Sequence, residues 1–218
     1  DQALLMATIA RPRTSMGFSD RFLVTCEAYG IPQVLVINKR DLLSHDDHEL
    51  AEAILDLYRG LGVTTFLISL KEDGSLEALE RQLAGKTTLL TGHSGTGKST
   101  LLNMLHPNAA QQVGEVSDYS EKGVHTTTFA EMFGLGNETY IIDTPGIKEW
   151  GLQDMTPQEI SDYFPEMRDL RLSCKYGSRC LHLSEPGCAV FQAVESGTVS
   201  PSRYHNYISM ISGEDNRK

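Results

Sequence analysis

Gly92-His93-Ser94-Gly95-Thr96-Gly97-Lys98-Ser99 satisfies G-x-x-x-x-G-K-[ST] and lies between a β-rich run, Thr87 to Thr91, and a helical pattern, Ser99 to Leu105. Strand, glycine loop and helix in that order make a cradle for phosphate. The glycines let the backbone curl until successive N–H groups point inward, and the helix adds the positive end of its dipole. Lys98 is expected to bridge the β- and γ-phosphates, and Ser99 to offer its hydroxyl to Mg2+.

On either side of this loop, strand and helix patterns alternate. Ala3 to Ile9 is an apolar strand candidate ending before Arg11-Pro12-Arg13, Ser19 to Tyr29 is helical up to Gly30 and Pro32, and Gln33 to Ile37 (QVLVI) has the texture of a buried parallel strand. Leu50, Ile54, Leu57, Tyr58 and Leu61 form a helical stripe; Val63 to Ser69 reads as strand, Ser75 to Leu83 as helix and Thr139 to Ile142 as strand. The expected fold is α/β: a P-loop fold with a mostly parallel sheet and helices on both faces. Because the chain opens inside a core strand, a further segment ahead of Asp1 is expected.

From Leu152 the strand candidates stop. Thr156-Pro157-Gln158-Glu159 combines a capping threonine, a proline at the first helical position and a glutamate three residues past the cap. Ser200-Pro201 repeats the signal ahead of an apolar stripe of Tyr204, Tyr207, Ile208 and Ile211, which reads as core packing rather than an RNA-stacking platform. The expected domains are a G domain over 1–151 and a small helical domain over 152–218.

Two further motifs complete a nucleotide site. Asp143-Thr144-Pro145-Gly146 puts a carboxylate at the carboxyl end of a strand, where open α/β sheets bind ligands. Asp143 suits the shell of a Mg2+ ion, and Gly146 can present its N–H to a γ-phosphate. Asn38-Lys39-Arg40-Asp41 follows the strand Gln33 to Ile37. A carboxylate accepts from both N1–H and the 2-amino group of guanine, whereas adenine would leave Asp41 unpaired. Asn38 would brace the base, the Lys39 stem would cover a ring face, and Ser69-Leu70 would add a backbone N–H for the guanine carbonyl. In ordinary GTPases the phosphate loop comes first and N-K-x-D last. Here Asn38 to Asp41 and Ser69 precede Gly92, so the chain reads as circularly permuted.

Between the loop and Asp143, Gly123-Val124-His125-Thr126-Thr127-Thr128 has the character of a switch segment. Thr126 or Thr127 would complete the Mg2+ shell when a γ-phosphate is present, with Thr127 as the assigned candidate for magnesium and for catalysis. A β-branched strand start is the alternative reading.

Composition bounds the partners. The 218 residues carry 19 basic and 29 acidic side chains, a net charge of -10, which opposes non-specific binding to nucleic acid or anionic membrane. Any RNA contact is therefore expected to be local or shape-specific. No apolar run approaches the roughly 20 residues of a membrane span, and the chain reads as a cytoplasmic monomer without a membrane partner. Cys174-x5-Cys180-x-His182-x5-Cys188 offers three thiolates and one imidazole, the donor set of a closed tetrahedral Zn2+ site. Three buried free cysteines beside an unrelated histidine are the alternative. Cys26, on a predicted helix, reads as a small core residue.

These residues resemble the circularly permuted, ribosome-associated GTPases of the RsgA (YjeQ) family. The resemblance is carried by Asn38 to Asp41, Gly92 to Thr100, Gly123-x-His125-Thr126-Thr127-Thr128, Asp143 to Gly146 and the cysteine knuckle, and it extends to Arg11-Pro12-Arg13-Thr14-Ser15. It implies binding of GTP and GDP, hydrolysis coupled to late maturation of the small (30S) ribosomal subunit, contact with 16S rRNA, one structural zinc, and an N-terminal OB-fold that this sequence lacks. It also implies a nucleotide-binding set of Asn38, Lys39, Asp41, Ser69, Leu70, Gly92, Ser94 to Thr100, Asp143 and Gly146. His93 and Thr96 stand where Gln and Val are usual, and neither change removes a backbone donor.

Many GTPases orient the attacking water with a glutamine just after D-x-x-G, a position held here by the apolar Ile147. His125 is the candidate replacement by chemistry and by resemblance, since imidazole can accept from water and hold it in line. Slow intrinsic turnover raised by a partner that orders the loop follows from that arrangement. The competing readings are a nucleotide-regulated ribosome- or RNA-binding module with negligible hydrolysis, which Ile147 favours, and a P-loop ATPase or kinase, which Asp41 opposes.

Overall fold

The run QALLMA at Gln2–Ala7 (β1) has every side chain buried, as a strand between two neighbours within a covered sheet must. The computed structural model describes residues 1–106, 130–144 and 155–213. Beside β1 lie Gln33–Ile37 (β2), Thr64–Leu67 (β3), Thr87–Thr91 (β4), Glu131–Gly136 (β5) and Thr139–Asp143 (β6). They form one sheet in the order β3-β2-β1-β4-β6-β5, parallel throughout except for the antiparallel pair β5 and β6.

Along the strands, alternation sorts the core. Leu4, Met6, Val34, Val36, Leu90 and Ile141 join Leu79 and Leu83 of Glu77–Leu83 (α3) and Leu101 and Leu102 of Lys98–Leu105 (α4) in one apolar cluster. The opposite parity, Ala3, Leu5, Leu35 and Ile37, is buried as well, so both faces are covered. The parallel connection from β2 to β3 runs through His45–Gly60 (α2), which buries Ala51, Leu55 and Tyr58.

The chain divides into two compact units: Asp1–Arg13 with Pro32–Arg59 and Val63–Lys148, and Thr14–Ile31 with Gly60–Gly62 and Glu149–Lys218. The sequence reading drew one boundary at 151/152 and kept residues 14–31 with the sheet. They group with the second unit because Met16–Ala28 (α1) shares a polar network with the last helix. Asp20 on α1 pairs with Arg203 of Pro201–Ser212 (α8) and accepts from Asn206 Nδ2 at 2.5 Å. Arg203 Nε also reaches Glu166 of Pro165–Leu170 (α6) at 2.5 Å. A charge buried that deeply is retained only with partners, so three helices are tied at one point.

The remaining second-unit helices, Pro157–Asp162 (α5) and Ala189–Glu195 (α7), pack with α6 and α8 around Ile160, Phe164, Met167, Val190 and Tyr207. Thr156 caps α5 with the reciprocal Glu159 bond that its sequence predicts. Ser200 does not cap α8; its hydroxyl faces that of Ser202. Cys26 is buried in this unit, and burial pushes its thiol up to about 12, the behaviour of an inert core residue. Helix α1 starts three residues before the expected Ser19, and β3 is shorter than the expected Val63 to Ser69. Helix α2 begins five residues before the apolar stripe, at a polar turn where Asp47 N–H donates to Ser44 Oγ and Ser44 Oγ donates to Asp47 Oδ2. Strand β5, EMFGLG, carries two glycines and no polar alternation, so nothing local announced it; its pairing with β6 supplies the order.

Candidate functional site

Strands β2, β1 and β4 are adjacent, so the loops leaving β2 and β4 stand two strand spacings apart, about 10 Å. Asn38 leaves β2, with its N–H donating to the Ala7 carbonyl of β1 at 2.9 Å. The phosphate-type loop leaves β4, and Asp143, at the end of β6, pairs in register with Leu90. Thr144 seals that junction by donating through Oγ1 to the Leu90 carbonyl at 3.1 Å.

Within the loop, the glycines are required by space as well as by conformation. A Cβ on Gly92, at φ +144°, would stand 2.2 Å from the Met6 carbonyl oxygen, and one on Gly97, at φ +109°, would stand 2.5 Å from Asn38 Nδ2. Lys98 Nζ donates to the carbonyls of Gly92 at 2.7 Å and His93 at 3.0 Å. The His93 carbonyl also accepts from the buried Thr96 hydroxyl at 2.9 Å, a bond that the usual valine lacks. Ser94, Gly95, Ser99 and Thr100 are exposed, and Pro12 lies 3.4 Å from where a Gly95 Cβ would be. Burial lowers the Lys98 pKa against the attraction of Asp143, and burial raises the Asp143 carboxyl against the pull of Lys98. Asp143 Oδ1 is buried without a hydrogen-bond partner among the described residues. Burial, with Lys98 nearby, lowers the His93 pKa.

Asn38 joins the two halves of this edge. Its Nδ2 donates to the Thr96 carbonyl at 2.8 Å, while its Oδ1 accepts from Leu70 N–H at 3.3 Å. Lys39 adopts a left-handed backbone, φ +68°, and its Nζ donates to the Arg11 carbonyl at 2.6 Å. Asp41 Oδ1 accepts from Ser69 Oγ at 2.7 Å, and Lys71 Nζ lies 3.7 Å from Oδ2. That hydroxyl bond, opposed by burial and aided by the backbone N–H of Asp41 and by Lys71, holds the Asp41 carboxyl below the usual range. The N–H groups of Ser69, Leu70 and Lys71 all have protein acceptors: Ser75 Oγ, Asn38 Oδ1 and Ser69 Oγ. Lys71 was missed at the sequence level; its place directly after Ser69-Leu70 was the available signal. His125, Thr126, Thr127 and Gly146 lie outside the described residues.

In the second unit, Cys174, Cys180, His182 and Cys188 are buried, and their ligand atoms all lie within 4.8 Å of one another. His182 Nδ1 is 3.6 Å from Cys174 Sγ and 3.4 Å from Cys188 Sγ, and the latter two sulfurs are 4.0 Å apart. A tetrahedron with Zn–S near 2.3 Å has edges of about 3.8 Å. The N–H groups of Ala189 and Phe191 point at the sulfurs of Cys174 and Cys188, at 3.3 and 3.4 Å. Burial, reinforced by the neighbouring thiols, raises the Cys180 and Cys188 thiols. A divalent cation reverses that preference by binding the thiolates. The donor set therefore fits zinc held by these four residues.

Residues 1–153 match the family model described as RsgA GTPase. The chain belongs to the RsgA GTPase family. The whole chain aligns at 46% identity with 70% of Small ribosomal subunit biogenesis GTPase RsgA 2 of Bacteroides thetaiotaomicron, and at 45% with 70% of Small ribosomal subunit biogenesis GTPase RsgA of Phocaeicola vulgatus. Among solved structures, YjeQ from Thermotoga maritima superposes over 100% of this chain and 72% of its own, with a TM-score of 0.82 at 34% identity. YloQ, described as a circularly permuted GTPase, covers 100% of this chain and 69% of its own, with a TM-score of 0.79 at 34% identity. This RsgA-family chain thus has the permuted sheet order that its motifs imply, with β1 and β2 preceding the phosphate-loop strand β4.

Proposed function

We propose that this GTPase holds Mg2+-GTP along the carboxyl edge of β2, β1, β4 and β6 and hydrolyses it as part of late maturation of the small ribosomal subunit. The observation that carries the reading is the Asn38 bridge, which ties the base-reading segment to the phosphate loop at 2.8 Å. Asp41 reads the guanine edge by accepting two hydrogen bonds; Lys39 covers the ring; Ser69 and Leu70 shape the base pocket from β3. The backbone of Gly92 and of Ser94 to Thr100 cradles the phosphates. Lys98, resting on the Gly92 and His93 carbonyls, transfers its ammonium to the β,γ-bridge when nucleotide arrives. Ser99 and Asp143 hold the metal and its water, and the orphan oxygen of Asp143 supports that role. Bound Mg2+ neutralises charge that builds on the transferring phosphoryl group. In this reading Gly146 contacts the γ-phosphate, Thr127 completes the metal shell and His125 positions the attacking water.

The names of the relatives support the small-subunit assignment; in this reading 16S rRNA is the contact and the cytoplasm the location. The protein acts as a monomer with no membrane partner; among the described residues, no helix is long and apolar enough to cross a bilayer. The four-residue cluster binds one zinc and stabilises the helical unit. Single-turnover hydrolysis of GTP and of ATP, with no ribosome, with large subunits and with small subunits, tests the whole. GTP-selective turnover stimulated by small subunits is expected. A stimulated rate unchanged in His125→Ala removes the catalytic assignment, and the absence of turnover under every condition favours the binding-module reading, to which Ile147 points.

A further inference from the structure

A metal-bound histidine is normally aimed by a partner on its second ring nitrogen, a carboxylate or carbonyl that fixes the ring. His182 has no such partner among the described residues: its Nε2 is buried without a hydrogen bond, while its Nδ1 faces the sulfurs. Among the described residues, what aims the ring is its own backbone. That backbone is in the left-handed region at φ +58°, a conformation a residue with a side chain keeps only where its surroundings impose it.

Glu185 imposes it. One carboxylate oxygen accepts from Leu181 N–H at 2.6 Å; the other accepts from Leu183 N–H at 2.8 Å and Ser184 N–H at 3.1 Å. The carboxylate thus straddles His182, gripping the residue before it and the residue after it. The carbonyls are taken from the other side: Tyr207 donates its hydroxyl to Leu181 and Tyr204 donates to His182, both at 2.6 Å. The Glu185 carbonyl also accepts from the N–H of Cys188, the next ligand, at 3.2 Å.

We propose that Glu185 is the positioning residue of the Cys3His site, holding the His182 peptide in its left-handed turn so that Nδ1 is the ligating nitrogen. The assignment rests on the zinc reading of this cluster. Glu185→Gln keeps the size of the side chain but replaces one acceptor oxygen with a donor, so the straddling grip cannot form.

The test uses the full chain with zinc, and with Co2+ in its place. Removal of such a supporting carboxylate costs roughly 10- to 100-fold in metal affinity, so zinc transfer from Glu185→Gln to a chromophoric chelator is expected to be at least about tenfold faster. Its cobalt spectrum is expected to shift, because the histidine ligand leaves its place; a purely structural loss would leave the spectrum of the bound state unchanged. Ser184→Ala, which keeps every backbone donor, serves as the control and should match the parent. An unshifted spectrum and an unchanged transfer rate in Glu185→Gln overturn the proposal. Should that variant fail to fold, Glu185→Asp replaces it, with the same spectral criterion. A parent chain that takes up neither zinc nor tetrahedral cobalt overturns the zinc reading itself, a distinct outcome.

Discussion

Asn38 and Thr96, 58 residues apart in sequence, are joined by a 2.8 Å hydrogen bond from the Asn38 amide to the Thr96 carbonyl. The same side chain accepts from Leu70, so one residue sets the mutual position of three loops. Asn38→Ala strands the buried Thr96 carbonyl, at about 1 to 3 kcal/mol before relaxation, and the part-buried Leu70 N–H, at less. A drop in denaturation midpoint together with weakened GDP binding is expected. A variant with parental nucleotide affinity would show that the three loops hold their places without the bridge.

Gly97 and Gly95 both have positive φ, yet they differ in what a methyl group would meet. On Gly97 it collides with Asn38 Nδ2 at 2.5 Å, whereas on Gly95 it finds Pro12 at 3.4 Å. Gly97→Ala should therefore abolish measurable nucleotide binding, while Gly95→Ala should weaken it to a lesser degree. Equal affinities in the two variants, measured by fluorescent-nucleotide titration, would contradict the geometry.

Asp41 is expected to set base choice across a wide pH range. The Ser69 hydroxyl lowers its pKa, so its charge is present above the ordinary carboxylate range and is lost only as pH falls through that lowered value. The preference for GDP over ADP should be flat from pH 8 to pH 5; a decline setting in near pH 6 would count against Asp41. Asp41→Asn, which loses the charged acceptor pair, should lose about 100-fold in GDP affinity, two weakened bonds totalling roughly 3 kcal/mol. It should gain xanthine nucleotides, whose 2-carbonyl accepts from the new amide.

Zinc removal should act on one unit and spare the other. Metal binding of this type supplies about 10 to 16 kcal/mol, more than a small helical core provides. Chelation is expected to melt the helical unit as followed by tyrosine fluorescence, while fluorescent GDP remains bound. Loss of both signals at the same chelator concentration would mean that the two units unfold together.

Arg203 is shared by Asp20 and Glu166 at a point where three helices meet. Arg203→Met should cost about 3 to 5 kcal/mol, because it removes a buried countercharge and leaves the carboxylates in place. Adding Asp20→Asn should restore part of that loss, giving a double variant less damaged than the sum of the singles. Strict additivity in urea denaturation would remove the coupling.

The strands Gln33–Ile37 and Thr87–Thr91 have the limits that their β-rich runs predict, because Pro32 ahead of one and Gly85 and Gly92 around the other punctuate them locally. Thr156 likewise announced its helix, since a capping box is a local device. The glycine loop, N-K-x-D and the cysteine spacing were legible for the same reason: each needs fixed residue types at fixed spacing.

What lay beyond the sequence was every relation between distant segments. The helix expected over Ser19 to Tyr29 is present as Met16–Ala28, yet its allegiance to α8 depends on Asp20 meeting Arg203. Strand β5 exists because β6 offers it a partner; Lys71 and Glu185 matter because of what the folded chain sets beside them. Local chemistry therefore determined the elements and the motifs, through steric preference and hydrogen-bonding capacity carried by each short segment. Tertiary structure decided which motifs share an edge and which helix belongs to which core, because those outcomes depend on contacts that no single segment contains.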